Sequence, residues 1–282
     1  VILRDITDLA GCRAVVALQE QVWGQGSEIV PASVLLVSAK RGGILIGAFE
    51  GTELAGFVWS MPGVRDGQPT HWSHMLGVLP GARRHGLGRR LKLAQRDRAV
   101  AQGIDLIEWT FDPLQAPNAH LNFTVLGCVA STYLADVYGG MSGPLHRGTA
   151  TDRLIAEWKI RAPHVERRVA ALANRPAFIV RTHEIATAPK AIATSPSGEW
   201  IAAAGTALTL SERRIMVPVP ARFTEMQERD LPLARQWRTA TRDVFTTYFA
   251  QGYRAVDFFL DEDGGGKYLL EKSTDNERRA SE

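Results

Sequence analysis

The run from His74 to Leu91, His-Met-Leu-Gly-Val-Leu-Pro-Gly-Ala-Arg-Arg-His-Gly-Leu-Gly-Arg-Arg-Leu, restricts this chain more than any other stretch. It reads as a strand, a sharp turn and the opening of a basic helix. Arg83, Gly86 and Gly88 fall on the spacing R-x-x-G-x-G. Glycines without side chains let successive backbone N–H groups point at one anion, and the helix N-terminus adds its positive end. A pyrophosphate fits such a cradle. The chain has no Gly-Lys-Ser/Thr here for a Walker A loop and no third glycine for the dinucleotide fingerprint G-x-G-x-x-G, so neither of those nucleotide loops is present at this turn.

The flanks of the loop fit one supersecondary unit. Gly43 to Glu50 and Glu53 to Met61 are two β-rich runs separated by Gly51-Thr52, which predicts a hairpin. A third strand, His71 to Leu79, leads into the loop. Downstream, Leu87, Leu91, Ala94 and Ala101 recur at helical spacing until Gly103, and Ile104 to Phe111 then predicts a buried strand.

Composition bounds the rest. With 282 residues and 45% hydrophobic content, the chain can bury one sizeable core and carry a second small domain or extension. No apolar run reaches the roughly eighteen residues of a membrane span. Val1-Ile-Leu-Arg-Asp5 lacks the basic and apolar regions of a signal peptide, so the expectation is a soluble cytoplasmic protein with no membrane partner. Cys12 and Cys128 have no metal-ligand spacing and read as two buried thiols; no metal is expected. A net charge of +3 does not mark a nucleic-acid binder. The cations are nonetheless uneven: Arg83, Arg84, His85, Arg89, Arg90, Lys92, Arg96 and Arg98 crowd one stretch, opposed by Asp97 alone. The proximal ones suit the phosphates of a nucleotide, whereas Arg96 and Arg98 read as a solvated helix face.

Elsewhere the punctuation is clear. Ile2 to Ile6 predicts a first strand, Asp8 to Trp23 a helix with Asp8 as N-cap, and Ala32 to Lys40 a helix opened by Pro31 and ended by Gly42-Gly43. After the proline-rich 112–117, Asn118 is expected to cap a short helix through Leu126. Val129 to Tyr138 predicts a strand, Gly139 to Ala150 a glycine-rich loop, and Thr151 to Ile160 a last strand with Asp152, Leu154, Ala156, Trp158 and Ile160 on one face.

The strand, anion loop, helix and strand, together with Trp109-Thr-Phe-Asp-Pro113 and Asn118-Ala-His-Leu-Asn-Phe123, resemble the GNAT N-acyltransferase superfamily over about Val1 to Arg161. The whole chain, with Thr151-Asp-Arg153, Trp237-Arg238 and Gly252-Tyr253, is similar to a subgroup of longer GNAT proteins described as predicted acetyltransferases. The resemblance implies an α/β (α+β) fold, a mixed central sheet of GNAT type flanked by helices. It implies acetyl-CoA or another acyl-CoA as co-substrate and a small-molecule amine, such as an amino acid, as acceptor. The acyl group is acetyl or succinyl, and fold-level likeness does not fix the acceptor. By the same resemblance, Leu76 and Val78 match the strand positions whose backbone pairs with the pantetheine arm. Arg83, Arg84, Gly86, Leu87, Gly88 and Arg89 match the pyrophosphate loop, and Asn118 matches an asparagine facing the cofactor. An ordinary N-cap would account for Asn118 equally well.

Acylating an amine requires a proton acceptor, since an amine of lysine-like pKa is protonated at neutral pH at a cost of about 4 kcal/mol. His74, two residues before Leu76, is the first candidate, because some amine acetyltransferases of the family place a catalytic histidine there. A buried, hydrogen-bonded strand histidine fits the same position, and spacing does not decide between them. Glu108 is the second candidate, because a carboxylate amid an apolar strand must be paired or functional. His71, Asp112 and His120 follow. Phe123 stands where many family members carry a tyrosine that protonates the departing thiolate. Tyr133 and Tyr138 are substitutes for it or packing residues, and a thiolate of pKa about 8.5 can leave near neutral pH without a donor. The alternative to an enzyme is a catalytically inactive CoA-binding or regulatory GNAT-like protein.

The domain expectation is a catalytic domain over 1–161, a connecting segment over 162–214, a GNAT-like half unit over 215–272 and a disordered tail over 273–282. His164 to Asn174 predicts a helix, and Ile215 to Pro220 an edge strand, since its prolines cannot donate to a ladder. Asp230 caps a helix with Ala234, Trp237, Thr241, Val244, Phe245 and Tyr248 on one face. Tyr253 to Leu260 and Lys267 to Leu270 predict a hairpin. The apolar stripe on that helix and the open edge strand together predict a homodimer.

Overall fold

A computed structural model of the chain describes residues 1–24, 29–139, 148–174 and 187–273. The expected tail, and most of the expected 139–150 loop, lie outside them. The chain forms two compact units.

The first unit takes in Val1–Trp109 and Glu157–Val169. Its strands β1 (Ile2–Asp5), β2 (Ile44–Glu50), β3 (Glu53–Arg65), β4 (Gln68–Val78), β5 (Leu106–Phe111) and β7 (Arg153–Lys159) lie in that order, β5 and β7 entering through residues 106–109 and 157–159. Helices α1 (Leu9–Trp23) and α2 (Ala32–Lys40) cover one face and α3 (Leu87–Ala101) the other. The Asp8 side chain accepts from the Gly11 amide at 2.7 Å, the expected N-cap of α1. Ile6, Cys12, Val15, Leu18, Leu35, Leu45, Phe57 and Trp59 form the core beneath α1 and α2.

Strands β3 and β4 are longer than their hydrophobic runs. The pairing continues past Met61 and Pro62 to Arg65↔Gln68, and the turn is Asp66-Gly67, with Asp66 at φ 52° and Gly67 at φ 74°. β4 therefore begins at Gln68 rather than His71. Pro62 is tolerated because a ladder needs its carbonyl but not an amide at every position. The register slips between Trp59↔Met75 and Met61↔Trp72, so two residues of β4, Ser73 and His74, face Ser60 alone. β4 meets β5 in parallel at His71↔Ile107 and Trp72↔Glu108, and among the described residues no ladder pair follows. From Ser73 to Val78 that edge of β4 has no ladder partner among the described residues.

The second unit comprises the described parts of 110–142, 146–156 and 170–282. After β5 comes α4 (Ala116–Ala119), which widens into a π-helical turn, His120–Val125. Gln115 occupies the cap position and Pro117 the first turn, so Asn118 lies inside the helix and is not its N-cap. A proline is best placed at the start of a helix, and it moves the start ahead of the asparagine. The strand expected over Val129 to Tyr138 shrinks to β6 (Tyr133–Leu134), paired with β7, plus isolated bridge residues at Val129 and Ala130, the latter bridged to Ala255. On β7 and its flanks, Asp152, Leu154, Ala156, Trp158 and Ile160 are all fully buried, as their alternation predicts. α5 (Pro163–Asn174) follows. Strands β8 (Ile192–Ser197) and β9 (Trp200–Thr206) form a hairpin inside the stretch expected to connect.

The C-terminal strand, helix, strand, strand order is as expected. β10 (Arg214–Val219), α6 (Phe223–Arg229), α7 (Leu231–Ala250), β11 (Tyr253–Leu260) and β12 (Gly266–Lys272) build a three-stranded sheet in the order β10-β12-β11. Asp230 caps α7 through the Leu233 amide at 3.1 Å. Two grounds for the homodimer fall here. Trp237, Phe245 and Tyr248 are buried within this unit, so the stripe of α7 requires no second chain. The outer side of β10 exchanges hydrogen bonds with Pro189 and Ala191 through Met216, so it is not open.

Two ion pairs in the second unit each bury one partner, Arg238 in the first and Asp152 in the second. Arg238 donates to both oxygens of Asp112, each at 2.7 Å, and Asp152 accepts from Tyr133 Oη at 2.6 Å and from Arg242 at 2.9 and 2.6 Å. The Arg242 guanidinium and the Tyr133 hydroxyl hold the Asp152 carboxyl below the usual range against the opposing effect of burial. Asp112 and Tyr133 are thus structural.

Candidate active site

The 3₁₀ turn Pro80–His85 delivers the chain to Gly86, which adopts the left-handed conformation at φ 64°, ψ 26° and is the N-cap of α3. No side chain caps the helix. The amides of Leu87, Gly88 and Arg89 therefore have no intrahelical acceptor, and the positive end of a fifteen-residue helix stands behind them. The turn needs glycine at 86 because a β-carbon is disfavoured at that φ. Arg89 folds its guanidinium toward Gly86, and exposed Arg83 donates Nε to the Val78 carbonyl at 3.1 Å. Donors and cations thus converge on one spot, which suits a diphosphate. The chain places Leu76 and Val78 on the edge of β4 that leads to this turn.

Not all the cations counted in sequence belong to this cradle. Lys92 is 2% exposed and points into the unit. Its Nζ donates to Ser73 Oγ and Gln95 Oε1, each at 3.0 Å, and sits 3.4 Å from the centroid of Trp109 and 5.7 Å from that of Trp158. Arg96 is not solvated either: its Nε donates to the Ile160 carbonyl at 2.9 Å. Only Arg98, paired with Asp5 at 3.1 Å, behaves as the expected surface cation.

His74 makes no hydrogen bond among the described residues, and its outer edge is exposed. It is not the buried, hydrogen-bonded histidine that the strand position also allowed. Its ring stands edge-on to Trp59, with centroids 5.2 Å apart and planes at 77°. Partial burial against that indole lowers the imidazole pKa below its ordinary value. The neutral form, which can accept a proton, therefore prevails at neutral pH. The buried histidine of this strand is His71, with Nδ1 3.0 Å from Ser60 Oγ and Nε2 2.7 Å from Gln102 Oε1. Gln102 donates its amide to the Gly42 carbonyl, so its oxygen faces His71 and Nε2 carries the proton. His71 is thereby occupied as a structural group.

Glu108 is also engaged. Arg65 Nη1 lies 2.5 Å from Glu108 Oε1 and 3.2 Å from Glu157 Oε2. Burial pushes the Glu108 carboxyl up and Arg65 draws it down, with a net rise. His74 and Glu108 share the α1–α2 face of the sheet but are not bonded to each other. In the second unit, Asn118 is exposed, His120 is half-buried, and Phe123 is fully buried with its ring edge-on to Phe111 and Tyr268.

Residues 14–121 match the model of the Acetyltransferase (GNAT) family. This part of the chain is similar to the GNAT acetyltransferase family. The matched segment includes the anion turn, β4 with His74, and α4. Among solved structures, an aminoglycoside 6'-acetyltransferase type Ii is 18% identical, with 57% of this chain and 99% of that one covered and a TM-score of 0.44. The ribosomal-protein-S18-alanine N-acetyltransferase of Escherichia coli is 16% identical over 57% of this chain and 94% of its own, with a TM-score of 0.46. The ribosomal-protein-alanine N-acetyltransferase of Brucella melitensis is 16% identical over 56% and 98%, with a TM-score of 0.45. Likeness at that level says nothing of this chain's substrate. No curated protein matches its sequence. No helix among the described residues is long and apolar enough to cross a membrane.

Sequence reasoning missed the residues that support the site: Trp59, Ser73, Lys92, Gln95, Arg65 and Glu157. Lys92 was hidden among arginines, and only its place on the inner face of α3, one residue after Leu91, could have marked it.

Proposed function

We propose that this protein transfers an acetyl group from acetyl-CoA to a primary amine of a small molecule, by direct attack in a ternary complex. The observation that carries the reading is the pairing of an uncapped, glycine-started helix with a β4 edge that has no ladder partner among the described residues and ends beside an accessible, neutral histidine. The amides of Leu87, Gly88 and Arg89 bind the diphosphate, with Arg83 and Arg89 supplying charge; the side chain of Arg84, expected to join them, lies outside the described residues. The backbone of Leu76 and Val78 orients the pantetheine arm, and a free amide of the same edge stabilises the oxyanion. Asn118 serves as a further cofactor contact.

His74 accepts the proton of the attacking ammonium. The amine nitrogen then bonds to the thioester carbon, its second proton passes to solvent as the C–S bond breaks, and the sulfur leaves as thiolate. The buried phenyl ring of Phe123 cannot protonate that sulfur, and a thiol pKa of about 8.5 makes the step feasible without a donor. Glu108, tied to Arg65, is the second candidate for the base. Succinyl-CoA is the alternative donor, and a CoA-binding protein without catalysis is the alternative reading, favoured by Phe123 alone. The catalytic domain we assign to 1–161, with 162–214 connecting it to the unit at 215–272.

Incubation of the purified chain with acetyl-CoA or succinyl-CoA and a panel of small amines, read by release of free thiol and by product mass, tests the proposal. Thiol release that depends on an amine supports it. Binding of acetyl-CoA without turnover of any amine favours the inactive reading.

A further inference from the structure

We propose that Lys92 is a positioning residue for His74: from the opposite face of the sheet, its ammonium clamps Ser73 and so fixes the β4 bulge that turns His74 toward Trp59. The inference rests on the reading of His74 as base.

The faces of β4 can be followed residue by residue. Ser73 points to α3, where it meets Lys92 and Gln95. Leu76 also points to α3, since its Cδ2 lies 3.7 Å from where a β-carbon of Gly88 would stand. These two positions are three apart, whereas a regular strand returns to the same face every second residue. An extra residue lies between them. His74 stands edge-on to Trp59, and Met75 packs on the core around that same Trp59, so two consecutive side chains project to the α1–α2 face. The register slip between Trp59 and Met61 is the same fact seen from β3. Counted back from Leu76, whose face is set by α3, a strand without the bulge would turn His74 toward α3.

Nothing in the local sequence obliges the strand to bulge there. What holds it is the cluster on the far side. Lys92 Nζ donates to Ser73 Oγ at 3.0 Å, and Gln95 Nε2 donates to the same oxygen at 3.1 Å. Lys92 Nζ also stands over the rings of Trp109 and Trp158, which are edge to face at 6.1 Å and favour a cation there. Methionine or leucine would fill this space without the cost of burying a charge. A lysine here adds what those residues cannot, a strong donor aimed at the one hydroxyl inside the bulge.

The test uses the full chain with Lys92→Met, Ser73→Ala, His74→Ala and the pairwise doubles. Steady-state rates, acetyl-CoA affinity by calorimetry and the imidazole resonance of His74 by NMR are measured. Lys92→Met and Ser73→Ala should each lower kcat by about 10- to 100-fold, as misplacement of a catalytic group does, with acetyl-CoA affinity nearly unchanged. Their double should be no worse than Lys92→Met alone, and Lys92→Met should add nothing to His74→Ala. The His74 resonance should shift in both single variants. An unmoved His74 resonance overturns the proposal whatever the activity, as does multiplication of the Lys92→Met and His74→Ala effects. Full activity in His74→Ala would instead remove the base reading, with the resonance still reporting on the clamp. If Lys92→Met does not fold, Ser73→Ala carries the same comparison from the other end of the contact.

Discussion

Replacing His74 with alanine separates catalysis from folding, because the structure assigns the side chain few contacts to lose. Its one ring contact among the described residues is with Trp59, and an edge-to-face ring pair contributes about 0.5–1.5 kcal/mol beyond area burial. The variant should therefore lose roughly 1 kcal/mol of stability and remain folded. The chemical loss should be larger. A positioned base contributes on the order of 10²- to 10⁴-fold, which corresponds to about 3–5 kcal/mol in the barrier. The pH profile gives a second reading. Because burial against Trp59 lowers the His74 pKa, the acidic limb of kcat/KM should fall below the ordinary histidine value near 6.5 and vanish in the variant. Denaturation curves and rates measured across pH on both proteins supply the comparison. Activity within threefold of the parent, or an unchanged acidic limb, would refute the assignment.

Three further outcomes follow from the packing. Asp112→Ala leaves the Arg238 guanidinium, 4% exposed, without its carboxylate, and should cost about 3–5 kcal/mol, or a Tm lower by roughly 10 °C. A fall of less than about 3 °C would count against a buried ion pair. Burial lowers the His71 pKa, so the neutral form is favoured on folding; its stabilisation is complete above about pH 6.5 and is lost as pH falls through the lower folded value. Urea midpoints should thus drop more between about pH 7 and pH 5 in the parent than in His71→Gln. Gly86→Ala places a β-carbon at φ 64° and should cost about 1 kcal/mol in stability while weakening acetyl-CoA, both readable by calorimetry.

Much of the first unit was legible in sequence, and the reasons are local. Asp8, Pro31, Gly51 and Gly103 punctuate elements whose apolar periodicity is strong, so helix and strand limits fell close to the structure. Gly86 was legible because a turn into an uncapped helix needs a residue that tolerates positive φ. The β4 bulge was not, since Trp72-Ser73-His74-Met75 alternates no differently from a regular strand. Its cause lies in Lys92, Trp109 and Trp158, which are remote in sequence. Asn118 misled because a good cap residue stood one place after a proline that had already opened the helix. The stripe on α7 was read correctly as buried, but its cover is the rest of its own unit, a tertiary pairing that helical periodicity does not specify.

The most direct measurement of the central claim is calorimetric titration of acetyl-CoA into the parent chain and into Gly88→Glu. Position 88 has ordinary helical φ, and the nearest atom to a new β-carbon is Leu76 Cδ2 at 3.7 Å, so the variant should fold. Its carboxylate would compete for the amides of Leu87, Gly88 and Arg89. The account predicts saturable binding to the parent and none to folded Gly88→Glu. Equal affinity in the two proteins would contradict it.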